Sequence, residues 1–212
     1  MKRFKYIIAL TLAMAIAATC PTMAKKKVTV DIYDLSLDEN LELPAITNEK
    51  HALRVQDYQY DTAVKLKEQN YDVEMTRDNE VIIVTIPASQ LFGANDTTLT
   101  EVGKVSLKPL LAFLKNPGFY KMIMVMHSDN TGSTQYTLDL TRGRVNSVYD
   151  WVEDNASVDY VVPYALGETS PINDNNSVEN RKRNRRLEIY LVPEEVMLEQ
   201  AKHGNVNINK TK

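Results

Sequence analysis

The chain has 212 residues, of which 43% are hydrophobic and 25% are charged, a composition typical of one globular domain with additional segments. Its formal net charge is −3, and this acidic balance argues against general binding to nucleic acid or to anionic membranes. Cysteine occurs once, so loss of that residue on maturation would exclude disulfides, a cysteine nucleophile and cysteine-based metal sites.

Residues 1–24 are predicted to be a secretory signal peptide. The first five residues include Lys2, Arg3 and Lys5, and residues 6–18 form an apolar run that is shorter than the ~20 residues a membrane-spanning helix needs. Thr22 and Ala24 supply the small residues that precede a signal-peptidase cut. We therefore expect an exported mature chain that is soluble or only peripherally bound to a membrane.

Cys20 has two interpretations. It is either a lipid-modified first residue of the mature chain or a residue discarded with the signal. A lipid-attachment motif has a large aliphatic residue three positions before the cysteine and a small residue directly before it. Ala17 and Thr19 occupy these positions, which favours the second interpretation.

Residues 25–79 are predicted to be an N-terminal extension with one helix over residues 51–69. Alternation of residue types indicates a strand at 28–33. A short strand at 71–75 is predicted to form a hairpin with the apolar, β-branched run at 81–86. We find no catalytic motif in this extension.

Residues 80–193 carry alternating strand and helix patterns, and residues 194–212 are predicted to be a polar C-terminal tail that is disordered from Gly204 onward. The fold class is α+β, a β-α-β-α-β-β sandwich with a mixed sheet and two long helices on one face. Because proline is tolerated only in the first turn, Pro109 predicts a regular helix that starts near Ser106. Gly143 is expected to mark close packing of its helix against the sheet. Further strands are predicted at 120–126, 158–162 and 187–192, and helices at 101–115 and 135–151.

A polar loop at residues 127–134 joins a buried strand to the longest predicted helix. Ligands commonly bind at such a strand end, beside a helix N-terminus. Asp129 lies in this loop and Arg144 lies two turns into the helix. Taken alone, Asp129 is also typical of a turn or cap residue, and Arg144 of a surface arginine. Together they have the charges needed to hold a zwitterion.

Four linked motifs give the chain a specific family resemblance. They are Ser-Asp-Asn-Thr-Gly at 128–132, Leu-Thr-Arg-Gly-Arg at 140–144, Gly-Glu-Thr-Ser-Pro at 167–171 and Asn-Arg-Arg-Leu-Glu at 184–188. Leu-Phe-Gly-Ala-Asn at 91–95 precedes them. In this order and spacing, residues 80–193 resemble the OmpA-like C-terminal domain, which also occurs in peptidoglycan-associated lipoproteins and in flagellar stator proteins of the MotB type.

The resemblance implies noncovalent binding of peptidoglycan through the diaminopimelate of its stem peptide. The family's acid falls on Asp129, its helix arginine on Arg144 and its polar loop residue on Asn95, and backbone N–H groups from Thr131 onward are expected to add donors. The implied role is to anchor the cell wall to the outer membrane or to an envelope complex, without enzyme activity or a cofactor. Envelope proteins are further expected partners, and a homodimer is an open alternative to a monomer.

Three positions depart from the family pattern, namely Gly93, Met126 and Thr137. The alternative function is therefore a protein–protein interaction module of the envelope in which peptidoglycan binding is weak or lost. A cell-wall hydrolase would need converging carboxylates or a metal site, and we see neither pattern. The arginines at 181–186 are interpreted as structural, and His127 as a strand-end residue.

Overall fold

The computed structural model describes residues 31–210. The predicted signal peptide, Cys20 and most of the predicted strand at 28–33 lie outside the described residues, and residues 31–33 form no strand. Between residues 31 and 210, no helix is long and apolar enough to cross a membrane.

The centre of the fold is a five-stranded sheet with the order β1-β2-β5-β3-β4. β3 and β4 run parallel and all other neighbours run antiparallel. The predicted α+β class, the mixed sheet and the β1–β2 hairpin are confirmed. β4 contains Pro163 and lies at an edge of the sheet, where a residue without an N–H is tolerated. The strands are β1 (Asp72–Thr76), β2 (Val81–Pro87), β3 (Tyr120–His127), β4 (Val161–Gly167) and β5 (Arg186–Pro193).

Two helices of 20 residues, α2 and α5, cover one face of the sheet. Their buried residues, such as Val55 and Leu66 of α2 and Val148 of α5, share one core with Met122 and Met124 of β3. Two long helices do lie on one face, but only α5 was one of the predicted pair. The prediction of a long helix at 101–115 is wrong, since that stretch forms α4 and a short 3-10 helix, and α2 is the second long helix. The helices are α1 (Leu37–Glu42), α2 (Glu49–Glu68), α3 (Ala88–Leu91), α4 (Glu101–Leu107), α5 (Thr134–Glu153), α6 (Val178–Asn184) and α7 (Glu195–Lys202).

The predicted helix start near Ser106 is wrong, because α4 precedes Pro109 rather than following it. α4 begins after Thr100, whose side chain accepts a hydrogen bond from the Gly103 N–H at 3.0 Å. A 3-10 helix, Lys108–Leu114, then continues the chain. Pro109 lies in the first turn of this second helix, where its missing N–H costs no internal hydrogen bond.

The second face of the sheet is partly covered by residues 31–44. Leu37 and Leu41 pack against a small apolar cluster of β-strand residues. Two cations fix the end of this segment through backbone carbonyls. Arg77 donates to Leu41 O and Pro44 O at 2.8 and 2.9 Å, and Lys121 donates to Leu43 O at 2.7 Å. Burial lowers the pKa of Lys121 to about 8.

The expected disorder after Gly204 is wrong for residues 204–210. Val206 and Ile208 pack against the main core, and the Asn116 side-chain amide donates to the carbonyls of Ile208 and Lys210 at 3.1 and 3.0 Å. Met197 of α7 is fully buried in the same core. Two apolar side chains therefore dock this polar stretch on the core, and the Asn116 amide donates to its backbone carbonyls.

Gly167 lets the end of β4 lie close against the beginning of α5. It has a φ of +54°, and a Cβ on it would lie 3.0 Å from the Leu138 N and 3.1 Å from the Thr137 Oγ1. Its N–H donates to Thr141 Oγ1 of α5 at 3.1 Å. Only glycine combines this backbone conformation with so close an approach of strand end and helix.

Gly167→Ala is expected to lower the free energy of unfolding by about 2 kcal/mol, because alanine is strained at positive φ and its Cβ meets the α5 backbone. Urea denaturation measures the change. Gly93→Ala is the matched control, since its Cβ would meet only ordinary contacts at 3.5 Å, and it should stay within about 0.5 kcal/mol of the parent. Equal effects of both substitutions would contradict this interpretation.

Candidate functional site

A cavity of about 300 Å³ lies where β3 ends and α5 begins. Its wall is built from α3 and the loop that follows it, from the β3–α5 loop, from α5 and from the residue before β5. All four residues predicted from the sequence, Asn95, Asp129, Thr131 and Arg144, line this cavity. The structure therefore brings the predicted site residues together in one pocket.

Asp129 is 2% exposed, so its carboxylate needs compensating partners. Oδ1 accepts a hydrogen bond from the Thr131 N–H at 2.9 Å, and Oδ2 accepts one from Arg185 Nη1. Burial alone would raise the pKa of Asp129, but the Thr131 hydrogen bonds and the Arg185 guanidinium lower it below its ordinary value. The pocket therefore contains a carboxylate that stays ionised at neutral pH.

The backbone amide of Thr131 is used inside the protein rather than left for a ligand. It donates to Asp129, and the first turn of α5 is capped by Ser133, whose Oγ accepts from the Tyr136 N–H at 3.2 Å. The expectation that the Thr131 amide offers a donor to a ligand is wrong, because the buried carboxylate takes it. The Thr131 side chain remains exposed at the pocket.

Arg144 is also buried, at 4% exposure, and it holds the loop after α3. Its Nε donates to Asp96 O at 2.8 Å and its Nη2 donates to Gly93 O at 3.1 Å. The guanidinium carbon lies 5.1 Å from the centre of the Phe92 ring, a cation–π contact. Burial lowers the pKa of Arg144, yet an arginine remains charged at neutral pH. Arg144 is thus both a charge in the pocket and a clamp on its wall.

Asn95 lies at the exposed tip of this loop with a φ of +54°, a conformation that asparagine tolerates. The loop rests directly on α5. A Cβ on Gly143 would lie 2.8 Å from Thr97 Cγ2, so Gly143 makes room for this loop. The expectation that Gly143 packs against the sheet is wrong, and its role is to let the pocket wall approach the helix.

Arg185 is a pocket residue that sequence reasoning missed, because the whole arginine cluster was interpreted as structural. That interpretation fits Arg186, which bonds Glu188 through Nε at 2.7 Å, and Arg181, which donates to Asn175 O at 2.9 Å. Arg185 instead pairs with Asp129. The sequence carries no signal that separates the two neighbours, because Arg185 is the C-cap of α6 and Arg186 is the first residue of β5.

The charged residues that line the pocket are one acid, Asp129, and two arginines, Arg144 and Arg185. This set suits a small ligand that carries carboxylate groups together with an ammonium. Among residues 31–210, no group of histidine, cysteine, aspartate and glutamate side chains is arranged to hold a metal ion.

Comparison with solved structures identifies the fold. A MotB-like protein from Desulfovibrio vulgaris superposes with a TM-score of 0.58 at 20% identity, covering 68% of this chain and 97% of that one. The cell wall anchor of the type VI secretion system from Pseudomonas aeruginosa superposes with a TM-score of 0.52 at 25% identity, covering 68% of this chain and 99% of the anchor. The fold is that of an OmpA-like C-terminal domain, as the motifs predicted.

A relative at sequence level is the Escherichia coli protein described as "Probable lipoprotein YiaD". It is 27% identical over 122 residues, which are 57% of this chain and 56% of that protein. The chain thus spans little more than half the length of this curated relative. No model of a protein family matches the chain.

Arg144→Ala is expected to lower the free energy of unfolding by about 2–4 kcal/mol, because it removes two charge-assisted hydrogen bonds and the contact with Phe92. Urea denaturation is the measurement. Arg142→Ala on the same helix is the control: its ion pair with Asp139 is 55% and 54% exposed, so the change should be below about 0.5 kcal/mol. An Arg144→Ala protein as stable as the control would exclude the clamp.

Proposed function

We propose that this protein binds peptidoglycan noncovalently by holding the diaminopimelate of the stem peptide in the pocket of Asp129 and Arg144. The observation that carries the proposal is a buried carboxylate and a buried guanidinium on the walls of one small cavity. Burying charges of both signs at a pocket destabilises the fold. Binding of a zwitterionic ligand is a function that explains why both charges are present.

The side-chain end of diaminopimelate has an ammonium and a carboxylate on one carbon. In the proposed complex the ammonium donates to Asp129, and the carboxylate accepts from the N–H groups of Arg144 that do not hold the loop. Arg185 adds a second cation beside Asp129, which suits the further carboxylate groups of a stem peptide. Asn95 and the Thr131 hydroxyl complete the polar wall.

Such a site gives moderate affinity for one stem peptide and firm attachment to a polymer. Each charge-assisted hydrogen bond contributes about 1.5–3 kcal/mol net, so a few of them, less the cost of association, correspond to micromolar-type dissociation constants. A cell wall presents many identical stem peptides, and two or more bound copies hold by avidity.

The relatives support an anchoring role in the cell envelope. The Pseudomonas aeruginosa structure is named a cell wall anchor and matches at 25% identity over 99% of its length, and the Escherichia coli relative is named a lipoprotein. We infer that the chain is exported to the periplasm, where the domain attaches the wall to the outer membrane or to an envelope complex. This role requires binding and no catalysis.

Co-sedimentation with purified diaminopimelate-type sacculi tests the proposal. Asp129→Asn removes the charge but keeps an oxygen for the Thr131 amide, and Arg144→Lys keeps the charge but loses the planar donor pair. Each substitution should weaken binding about tenfold or more. Arg142→Ala, two positions earlier on the exposed side of α5, should bind like the parent.

The parent protein staying in the supernatant would refute peptidoglycan binding and favour the interaction-module alternative. If the parent and both pocket variants bind equally well, the binding site lies outside this pocket. Circular dichroism of each variant separates a loss of binding from a loss of folding.

A further inference from the structure

A second cavity, called here the β1–β2 groove, lies where β1 begins and β2 ends. Its volume is about 480 Å³, which is within the usual range of ligand sites, roughly 300–1,000 Å³. Its walls come from the residues between α2 and β1, from the end of β2, from α3 and α4, and from Pro109. The proposed function makes no use of this groove.

Hydrogen bonds to Ser106 hold three walls of the groove together. The Tyr71 hydroxyl donates to Ser106 O at 2.7 Å, and Gln90 Nε2 donates to Ser106 Oγ at 2.7 Å. Tyr71 precedes β1, Gln90 belongs to α3 and Ser106 belongs to α4, so segments that are distant in sequence are fixed at one place. A ligand that binds here does not have to order the walls first, which favours its affinity.

The lining of the groove is polar but almost uncharged. Asn70, Thr85 and Gln90 supply side-chain amides and a hydroxyl, which together both donate and accept hydrogen bonds. Asp72 is the one charged side chain among the described residues that line the groove. Val105 adds an apolar surface and is 71% exposed. These walls suit a neutral ligand that carries hydroxyl and acetamido groups, whereas an anion would meet a carboxylate and no cation.

The groove and the pocket of Asp129 share α3 as a common wall. Ser89 lines the pocket, and its neighbour Gln90 lines the groove. The groove lies at the end of β2 and Asp129 lies just beyond the end of β3, with only β5 between these strands. Two strand spacings of roughly 4.8 Å each place the two sites about 10 Å apart.

This separation matches the length of a stem peptide. Two residues lie between diaminopimelate and the sugar that carries the stem, and three residues of extended chain span about 10 Å. In the intact polymer the carboxyl group of that sugar forms an amide with the stem, so the sugar is neutral and compatible with Asp72. A stem peptide held at Asp129 can therefore place its sugar in the groove.

We propose that the β1–β2 groove binds the glycan of peptidoglycan, at the N-acetylated sugar to which the stem peptide in the Asp129 pocket is attached. The hydroxyl and acetamido groups of the sugar exchange hydrogen bonds with the amides of Asn70 and Gln90, and the acetamido methyl group packs on Val105. The inference rests on the proposed function, because the pocket sets where the sugar lies.

Isothermal titration calorimetry with two ligands tests the proposal. The first ligand is the stem peptide that carries diaminopimelate, with its N-terminus acetylated. The second is the same peptide attached to its disaccharide of N-acetylglucosamine and N-acetylmuramic acid, so that the two ligands have equal charge. The disaccharide should raise the affinity of the wild-type protein about tenfold, a gain that one or two additional hydrogen bonds supply.

Substitutions in the groove should remove this gain and leave the affinity for the free stem peptide unchanged. Val105→Arg fills the groove, so both ligands should bind alike, and Gln90→Ala should reduce the affinity for the disaccharide ligand about fivefold. Val102→Arg is the matched control: Val102 lies one turn earlier on α4, is 66% exposed and lines neither cavity, and its variant should keep the full gain.

Equal binding of the two ligands by the wild-type protein, or a gain that Val105→Arg leaves intact, would overturn the glycan site and leave the pocket as proposed. If neither ligand binds, the proposed function fails, and an NMR titration with the neutral disaccharide of N-acetylglucosamine decides about the groove alone. Saturable shifts of the Gln90 and Val105 amide signals would support a glycan site, and their absence would refute it.

Discussion

The carboxylate of Asp129 is the constraint around which this structure is arranged. An ionised group that is almost completely buried destabilises a fold unless donors surround it. Here the donors come from a turn two residues ahead and from Arg185, 56 positions along the chain. The pairing requires the end of β3 and the start of β5 to lie side by side, and the antiparallel register of these strands, Met126 opposite Leu187, provides this.

Arg144 is a buried charge on the other wall of the pocket, and it too needs hydrogen-bond partners. Its guanidinium holds two carbonyls of the loop after α3 and lies against Phe92. Stability and the proposed binding therefore share one side chain, which explains why an alanine at this position cannot separate the two. Arg144→Lys keeps the charge but loses the planar pair of donors. Arg142→Ala, at an exposed arginine two positions earlier, is the control.

The predictions from sequence succeeded where a local pattern determined the outcome. The buried strands, α5 and the β1–β2 hairpin follow from apolar periodicity and turn residues, and the linked motifs placed four residues in one cavity. The errors arose where long-range contacts decide. Pro109 was accommodated by a 3-10 helix rather than by a delayed α-helix, and residues 204–210 were docked by Val206, Ile208 and the amide of Asn116.

The contacts of Arg185 and of the Thr131 amide could not be predicted from the sequence for the same reason. The partner of each is set by tertiary structure. Arg185 meets Asp129 only because β5 lies beside β3, and the Thr131 amide bonds to Asp129 because that carboxylate is buried. Composition cannot distinguish Arg185 from Arg186, since both are arginines and only their places in the fold differ: Arg185 is the C-cap of α6, and Arg186 is the first residue of β5.

The most direct test of the central claim is an NMR titration of the protein with a stem peptide that carries diaminopimelate, compared with the same peptide carrying lysine in its place. Lysine has the ammonium but lacks the adjacent carboxylate. The diaminopimelate peptide should shift the Thr131 amide and the Arg144 Nε–H signals, and the lysine peptide should bind at least about tenfold more weakly. Equal binding of the two peptides, or shifts confined to residues outside the pocket, would contradict the claim.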